Sequence, residues 1–304
     1  MTQPPPAAPI VVGIDGSRAG VDAALWAAEE ALSTGAPLRL VHAVAISGLA
    51  GDDGPEFDVD TEFDTEFDSE FDTEFEAESD RVPVEFAHDR SETGCGPNSL
   101  RSARAAVLAT GKPITVDTEI LWGDVDALLI EESKRTALVC VGSVGIAPLC
   151  HRTQGSTAAL LAERAHSPVA IIGSPRSSYG NPDWIVAVID DVSSNDAIVE
   201  HALHEAHVRR APLLALGISR PDDSGVHYDE LARRVADWRR THPHLHVHPV
   251  AVPTDVATFL RQHQELSVQL TVLGARDAEQ TAALVGPRDP SGQRRNRASV
   301  LIVR

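Results

Sequence analysis

Apolar runs alternate with amphipathic helical segments along most of the chain. The run from Ile10 to Ile14 predicts a buried strand. Ser17 is placed to cap the start of a helix, and Gly35 to end it in a left-handed conformation. A second strand, 38–44, follows at the distance of a right-handed strand–helix–strand unit. Within the helix, apolar residues recur at helical spacing at Val21, Ala24, Leu25, Ala28 and Leu32.

The same alternation of strand and helix continues to the end of the chain. Strands that are apolar on both faces indicate a parallel sheet covered by helices on both sides. In the first half we predict a helix near 99–110, a strand near 114–121, a helix from Asp124 to Ser133, a strand at 137–142, a helix at 156–166 and a strand at 168–173. In the second half we predict strands at 184–191, 212–218, 244–252, 268–274 and 299–304, and helices at 195–209, 227–240 and 254–264.

The two halves therefore repeat one order of elements. This repeat predicts an α/β protein made of two tandem open parallel-sheet domains of the Rossmann-like type. The predicted boundaries are 1–175 for the first domain, 176–183 for a polar linker and 184–304 for the second domain.

An acidic block interrupts the first domain. Residues 51–80 hold 15 Asp and Glu residues and no Lys or Arg, and Phe recurs every fourth residue from Phe63 to Phe75. Like charges with no basic partner oppose a helix, so we predict a disordered insertion over about 48–96. Deleting 51–80 should then leave the melting temperature almost unchanged. The alternative is a segment that docks on a basic, apolar groove of a partner protein.

Charge, cysteine and histidine content narrow the function classes. The net charge of −19 argues against nonspecific nucleic-acid binding. No apolar run approaches the roughly 20 residues of a membrane span, and the start lacks a secretory signal, so we expect a cytoplasmic protein. The three cysteines form no CxxC pair and are odd in number, so they support neither a disulfide framework nor a structural zinc site. Cys140 lies in an apolar run and is expected in the core.

Two histidine runs stand out in the second half. His244, His246 and His248 alternate along the predicted strand, so they would share one face. Imidazoles along one strand are about 7 Å apart and converge poorly on one ion. We therefore predict a solvated polar face, with a zinc or nickel site as the alternative. The same holds for the helical run, which consists of His201, His204 and His207.

Candidate ligand contacts follow the first, second and fourth strands, because ligands bind beyond the carboxyl ends of parallel strands. Glycines leave amides free to point at phosphate oxygens, and a helix start adds unpaired amides and hydroxyl donors. The alternative is that the glycines only form a turn and that Asp15 only caps the first helix. The candidate residues are Gly13, Asp15, Val41, Gly142, Gly145, Gly155, Ser156 and Thr157. The chain contains no GxxxxGK[ST], GxGxxG, GxSxG or HExxH motif.

Taken together, IVVGIDGS, LRLVHAV, the spacing GxxG-x9-G[ST] and HSPVAII resemble a universal stress protein of the tandem, actinobacterial kind. The resemblance implies that Asp15 and Val41 hold the adenosine of ATP, and that the glycine motif with Ser156 and Thr157 holds ribose and phosphates, with or without Mg²⁺. It also implies a regulator of a stress or dormancy response. Because no catalytic set is evident in the sequence, we expect at most slow ATP hydrolysis and no enzyme. The last strands, 168–173 and 299–304, would pair across a pseudo-dimer interface, in a monomer or a homodimer.

The sequence departs from that pattern in two places. Between Gly145 and Gly155 it carries IAPLCHRTQ, where family members have further glycines and apolar residues. The second half keeps Asp190 and Asp191, but Asp277 stands where the second glycine is expected, and Gly286 is followed by Pro287. A carboxylate about 4 Å from a phosphate charge costs on the order of 4 kcal/mol. We therefore predict little or no ATP in the second half.

Two further functions remain open. The chain is alternatively an interaction scaffold that binds no nucleotide and uses the pseudo-dimer surface and the acidic segment. The other hypothesis is a nucleotide-using enzyme with the same fold, for which no catalytic set is evident in the sequence.

Overall fold

Two halves of equal topology make up the computed structural model, which describes residues 7–44, 92–143, 156–173, 183–190, 195–218, 228–285 and 298–304. The first half contains β1 (Ile10–Gly13), α1 (Arg18–Thr34), β2 (Leu38–Val44), α2 (Glu92–Ala109), β3 (Val116–Trp122), α3 (Val125–Glu132), β4 (Leu138–Gly142), α4 (Ser156–Arg164) and β5 (Val169–Ile172). The second half contains β6 (Trp184–Ile189), α5 (Asn195–Val208), β7 (Leu213–Ile218), α6 (Tyr228–Thr241), β8 (Val247–Val252), α7 (Val256–Gln262), β9 (Val268–Gly274), a 3₁₀ helix (Ala275–Gln280), α8 (Thr281–Val285) and β10 (Ser299–Val303).

The ten strands found in the described ranges form one sheet in the order β3-β2-β1-β4-β5-β10-β9-β6-β7-β8. Neighbouring strands within each half run parallel. Only β5 and β10 are antiparallel, with Ala170 opposite Leu301. The predicted fold class is thus confirmed, and so is the pairing of the two last strands across the pseudo-dimer interface.

Helices cover both faces of the sheet. Buried residues of α1, α2, α5 and α6 pack on one face, and those of α3, α4, α7 and α8 pack on the other. Each apolar cluster contains residues from both halves, so the core is continuous across the β5–β10 pair. Cys140 is fully buried in the first of them, as expected. In the ranges that the structure describes, no helix combines the length and apolar content of a membrane span.

The ends of α1 are those the sequence predicts. Ser17 Oγ accepts a hydrogen bond from the amide of Gly20 at 3.0 Å, and Gly35 closes the helix with φ 68°. Asp124 caps α3 in the same way, through the amide of Ala127 at 3.0 Å.

The structure differs from the predictions in three regions of the chain. Helix α2 begins at Glu92, before the predicted start near residue 99, and so takes in residues 92–96 of the expected insertion. The sequence does not predict this start, because Gly94, Gly96 and Pro97 are poor helix formers. A 3₁₀ helix and α8 follow β9, where no helix was predicted.

The third difference concerns the histidines. Strand β8 starts at Val247, so His244 and His246 precede it and only His248 lies within it. The prediction of three imidazoles on one strand face is therefore wrong. The alternating pattern assigned residues 244–246 to the strand, but they belong to the turn that follows α6 and Pro243.

A buried charged cluster joins α1 of the first half to α5 of the second. Arg209 donates from Nη2 to Glu30 at 2.9 Å and from Nε to Glu205 at 2.6 Å. Its guanidinium lies 4.3 Å from the centre of the Trp26 ring, and Glu30 also contacts His204 Nε2 at 3.2 Å. The prediction of a solvated helical face is thus wrong for His204. We refer to Glu30, His204, Glu205 and Arg209 as the junction cluster.

Burial and hydrogen bonding shift the pKa values of side chains in and beside this cluster. The carboxyl of Glu205 is only 1% exposed, and the loss of water raises its pKa to about 7, although Arg209 acts in the opposite direction. The hydrogen bond to Glu30 raises the pKa of His204, whereas burial lowers the pKa of His201. The two halves therefore meet at a carboxyl group that titrates near neutral pH.

Candidate functional site

In the first half, the order of the strands reverses between β1 and β4. From β1 the chain moves to β2 on one side, and it returns from β3 to β4 on the other. A crevice forms at the carboxyl ends of the two central strands when connections leave in opposite directions. Gly13 and Gly142 are the last residues of β1 and β4, and Asp15 follows β1 by two residues. Val41 lies in the middle of β2, beside Gly13 in the neighbouring strand.

Asp15 is part of the turn that starts α1. Its Oδ1 accepts a hydrogen bond from the amide of Ser17 at 2.9 Å. The preceding residue, Ile14, donates its amide to the carbonyl of Val41 at 2.8 Å, which fixes the turn to β2. Gly16 has φ 86°, a conformation that a residue with a side chain rarely adopts. Asp15 therefore stabilises the turn before α1, while Ser17 caps the helix itself. Any role of Asp15 in ligand binding comes in addition to this contact.

Gly142 lets the end of β4 lie directly against α1. A Cβ atom at this position would be 2.7 Å from the carbonyl carbon of Ala19, a backbone atom that cannot move aside. At Gly20, a Cβ atom would be 2.9 Å from Oδ1 of Asp15. Two positions without side chains thus bring β4, α1 and the carboxylate of Asp15 close together at the crevice. Gly13 faces the other side of the sheet, towards Leu129 of α3.

His42 is a residue of this region that the sequence analysis missed. Its Nδ1 lies 2.6 Å from the carbonyl oxygen of Ile14, so the ring donates to the turn that leads to Asp15. The ring packs against Gly96 of α2, where a Cβ atom would be 2.7 Å from His42 Cδ2. A single histidine in an apolar strand matches no motif, so only its position beside Val41 pointed to this role.

The start of α4 faces the start of α3. The hydroxyl of Thr157 donates to Asp126 Oδ1 at 2.6 Å. Asp126 lies in the first turn of α3, two residues after the capping residue Asp124. A phosphate bound by Thr157 would therefore meet a carboxylate, unless a cation lies between them. Ser156 begins α4, while Gly145 and Gly155 lie outside the described residues.

The equivalent region of the second half is built differently. Gly274 ends β9 and leads at once into the 3₁₀ helix, where Asp277 accepts a hydrogen bond from Gln280 Nε2 at 3.0 Å. The carbonyl of Asp190 accepts a hydrogen bond from the side chain of Asn195, at the start of α5. Asp191, Gly286 and Pro287 lie outside the described residues. The chain after β9 is therefore helical from its first residue.

Comparison with known proteins identifies the family of this chain. Residues 7–173 match the sequence model of the Universal stress protein family. Universal stress protein Rv2624c of Mycobacterium tuberculosis is 39% identical over 300 residues, which are 97% of this chain and 96% of the relative. Universal stress protein Rv3134c of the same organism is 34% identical and covers 81% of each chain. The crystal structure of a universal stress protein from Archaeoglobus fulgidus superimposes with a TM-score of 0.63 at 13% identity, covering 98% of this chain and 97% of the other.

Proposed function

This chain belongs to the universal stress protein family, and we propose that it is a nucleotide-dependent regulator of a stress or dormancy response that binds ATP in its first half. The adenosine lies against Asp15 and Val41. The ribose and phosphates lie against Gly142, Gly145, Gly155, Ser156 and Thr157. The protein acts through occupancy of this site and not through turnover of ATP.

The close approach of β4 to α1 is the observation that carries the proposal. The absence of side chains at Gly142 and Gly20 brings the carboxyl ends of β1 and β4 against the first turn of a helix. The first turn of a helix offers unpaired amides and a favourable dipole to an anion, each worth about 0.3–1 kcal/mol when exposed. A site of this kind needs several such groups acting together.

The contact between Thr157 and Asp126 supports a proposal for how the phosphates are held. A divalent cation such as Mg²⁺ prefers carboxylate and hydroxyl oxygens, and these two side chains already lie within hydrogen-bond distance. ATP bound as its Mg²⁺ complex would therefore turn a repulsive carboxylate into a favourable neighbour. We expect ATP affinity to be higher with Mg²⁺ than with EDTA.

The second half is proposed to bind no nucleotide. Its 3₁₀ helix fills the place of an open glycine loop, and Asp277 would repel a phosphate. The stoichiometry of binding should therefore be one ATP per chain.

The sequence contains no P-loop, GxSxG or HExxH motif that would support turnover of ATP. Cys140 is the only described free thiol, and burial raises its pKa well above its ordinary value of 9.0. A buried, protonated thiol is a poor nucleophile, so we propose that ATP is bound and not consumed.

Calorimetric titration of the full-length protein with ATP and Mg²⁺ tests the proposal. We expect one bound ATP, no binding by Gly145→Asp, and unchanged binding by Asp277→Asn, the matched control in the second half. Nucleotide extracted from the purified protein and identified by mass would give independent support. Two bound ATP molecules, or wild-type affinity in Gly145→Asp, would refute the assignment to the first half.

A second candidate function is an interaction scaffold without nucleotide. The hydrogen bond between Thr157 and Asp126 favours it, because it occupies the hydroxyl that the phosphates would need. Under this alternative the protein carries no nucleotide as purified and shows no heat of binding with ATP, whether or not Mg²⁺ is present.

A further inference from the structure

Two histidine rings from separate elements meet in the second half. His207 lies in the last turn of α5, and His244 lies in the segment between α6 and β8. Nδ1 of His207 is 3.1 Å from Nε2 of His244, and the two ring centres are 5.0 Å apart. Both side chains are exposed. Each of the two histidine runs thus contributes one ring to a pair that neither run forms alone.

The shared contact is a site for one proton or for one metal ion. One imidazole must donate an N–H and the other must accept it, so the pair holds a proton between two nitrogens. Zn²⁺ and Cu²⁺ prefer imidazole nitrogens and bind them at about 2.0–2.1 Å. Bonds of that length span nitrogens 3.1 Å apart when the angle at the metal is about 100°.

We propose that His207 and His244 form a surface binding site for a divalent transition-metal ion such as Zn²⁺ or Cu²⁺, with water in the remaining positions. In the part of the chain that the structure describes, no three potential ligands converge on one point, so two imidazoles carry the site. The neighbouring ring, His242, is centred 6.3 Å from His244 and bonds through Nδ1 to the hydroxyl of Thr241.

The bound ion would link the end of α5 to the segment before β8. Six strands separate β8 from β1 in the sheet, so the site is distinct from the nucleotide crevice of the first half. It also lies at the amino ends of β7 and β8, whereas the crevice of the second half is at the carboxyl ends of its strands. Metal binding and nucleotide binding can therefore be measured independently of each other.

Titration of the full-length protein with Cu²⁺ at neutral pH, followed by electron paramagnetic resonance, tests the proposal. We expect one ion with hyperfine splitting from two imidazole nitrogens. His207→Ala and His244→Ala should each weaken its affinity by more than about tenfold, since the loss of a supporting hydrogen-bond partner alone costs that much. His246→Ala is the matched control, because His246 is an exposed histidine of the same segment outside the pair. It should bind Cu²⁺ as the wild type does.

Zn²⁺ should raise the melting temperature of the wild type and of His246→Ala, but not of the two pair variants. The pair side chains are exposed, so melting in the absence of metal should be unchanged and shows that each variant is folded. The proposal is wrong if either pair variant binds Cu²⁺ as tightly as the wild type. It is also wrong if His246→Ala loses as much affinity as they do, since the ion is then held elsewhere.

Discussion

Replacing Glu205 by Gln should remove much of the pH dependence of stability between pH 5 and pH 8. Glu205 is buried in the junction cluster, and burial raises its pKa from 4.5 to about 7. Its contribution to stability is fully present below pH about 4.5, where the carboxyl is protonated in both the folded and the unfolded chain. That contribution is lost as the pH rises through about 7, because the folded state must then hold a buried anion.

The size of the effect follows from the shift. A pKa that rises from 4.5 to about 7 on folding lowers the free energy of unfolding by about 2–3 kcal/mol between pH 5 and pH 8. His204 acts in the same direction, since its pKa is also raised, and His201 acts in the opposite direction. Comparing Glu205→Gln with the wild type at each pH isolates the contribution of Glu205.

Urea unfolding followed by tryptophan fluorescence measures this difference, because Trp26 stacks on Arg209. The wild-type midpoint should fall by about 1 M from pH 5 to pH 8 relative to that of Glu205→Gln. Glu200→Gln removes an exposed carboxylate from the same helix and should follow the wild-type profile. If the midpoints of Glu205→Gln and the wild type move in parallel, Glu205 does not titrate in this range and the reasoning fails.

Three further substitutions test individual contacts by urea unfolding. Gly142→Ala places a Cβ atom 2.7 Å from the carbonyl carbon of Ala19, and we expect a loss of about 1–3 kcal/mol from overpacking. Arg304→Ala removes a guanidinium that donates to the last carbonyls of α4 at 2.6 and 2.9 Å, so we expect a loss of about 1–2 kcal/mol and faster amide exchange in α4. Asp255→Ala removes the cap of α7, a hydrogen bond of 2.7 Å to the amide of Thr258, and should cost about 1 kcal/mol. Its cost should vanish at low pH, since this hydrogen bond lowers the pKa of Asp255 and the stabilisation is lost on protonation.

Each of these expectations has a contrary result. Wild-type stability in Gly142→Ala would show that β4 can move away from α1 without cost. Unchanged amide exchange of α4 in Arg304→Ala would show that the hydrogen bonds from Arg304 to the last carbonyls of α4 do not stabilise this helix. An Asp255→Ala loss that stays constant down to low pH would show that the carboxylate charge does not contribute to the cap.

The strands were predictable because a parallel strand between two helical layers must be apolar throughout. The predicted strand 268–274 coincides with β9, and the predicted strand 137–142 lies within one residue of β4. Helix faces were predicted less well. Leu32 was assigned to the buried stripe of α1 but is 41% exposed, while Ala27 and Ala31 are buried instead. An alanine-rich helix can lie so close to the sheet that its small residues, and not its large ones, face the sheet.

The contacts that hold the halves together could not be predicted from local patterns. Arg209 and Glu30 are 179 residues apart in the sequence, and neither belongs to a motif. The pairing of His207 with His244 likewise depends on where β8 begins, which the alternating histidines concealed. At the crevice, the sequence identified Gly142 as a source of free amides, but only the structure shows that it is also needed for contact with α1.

The antiparallel seam between β5 and β10 has a consequence for how this protein can change over time. In a dimer of identical chains every substitution appears twice, so a useful change at one crevice is imposed on the other. Covalent joining removes that symmetry while one sheet still runs through both halves. The loop after β9 can thus carry Asp277 where the loop after β4 carries Gly145, although both halves rest on a single shared core.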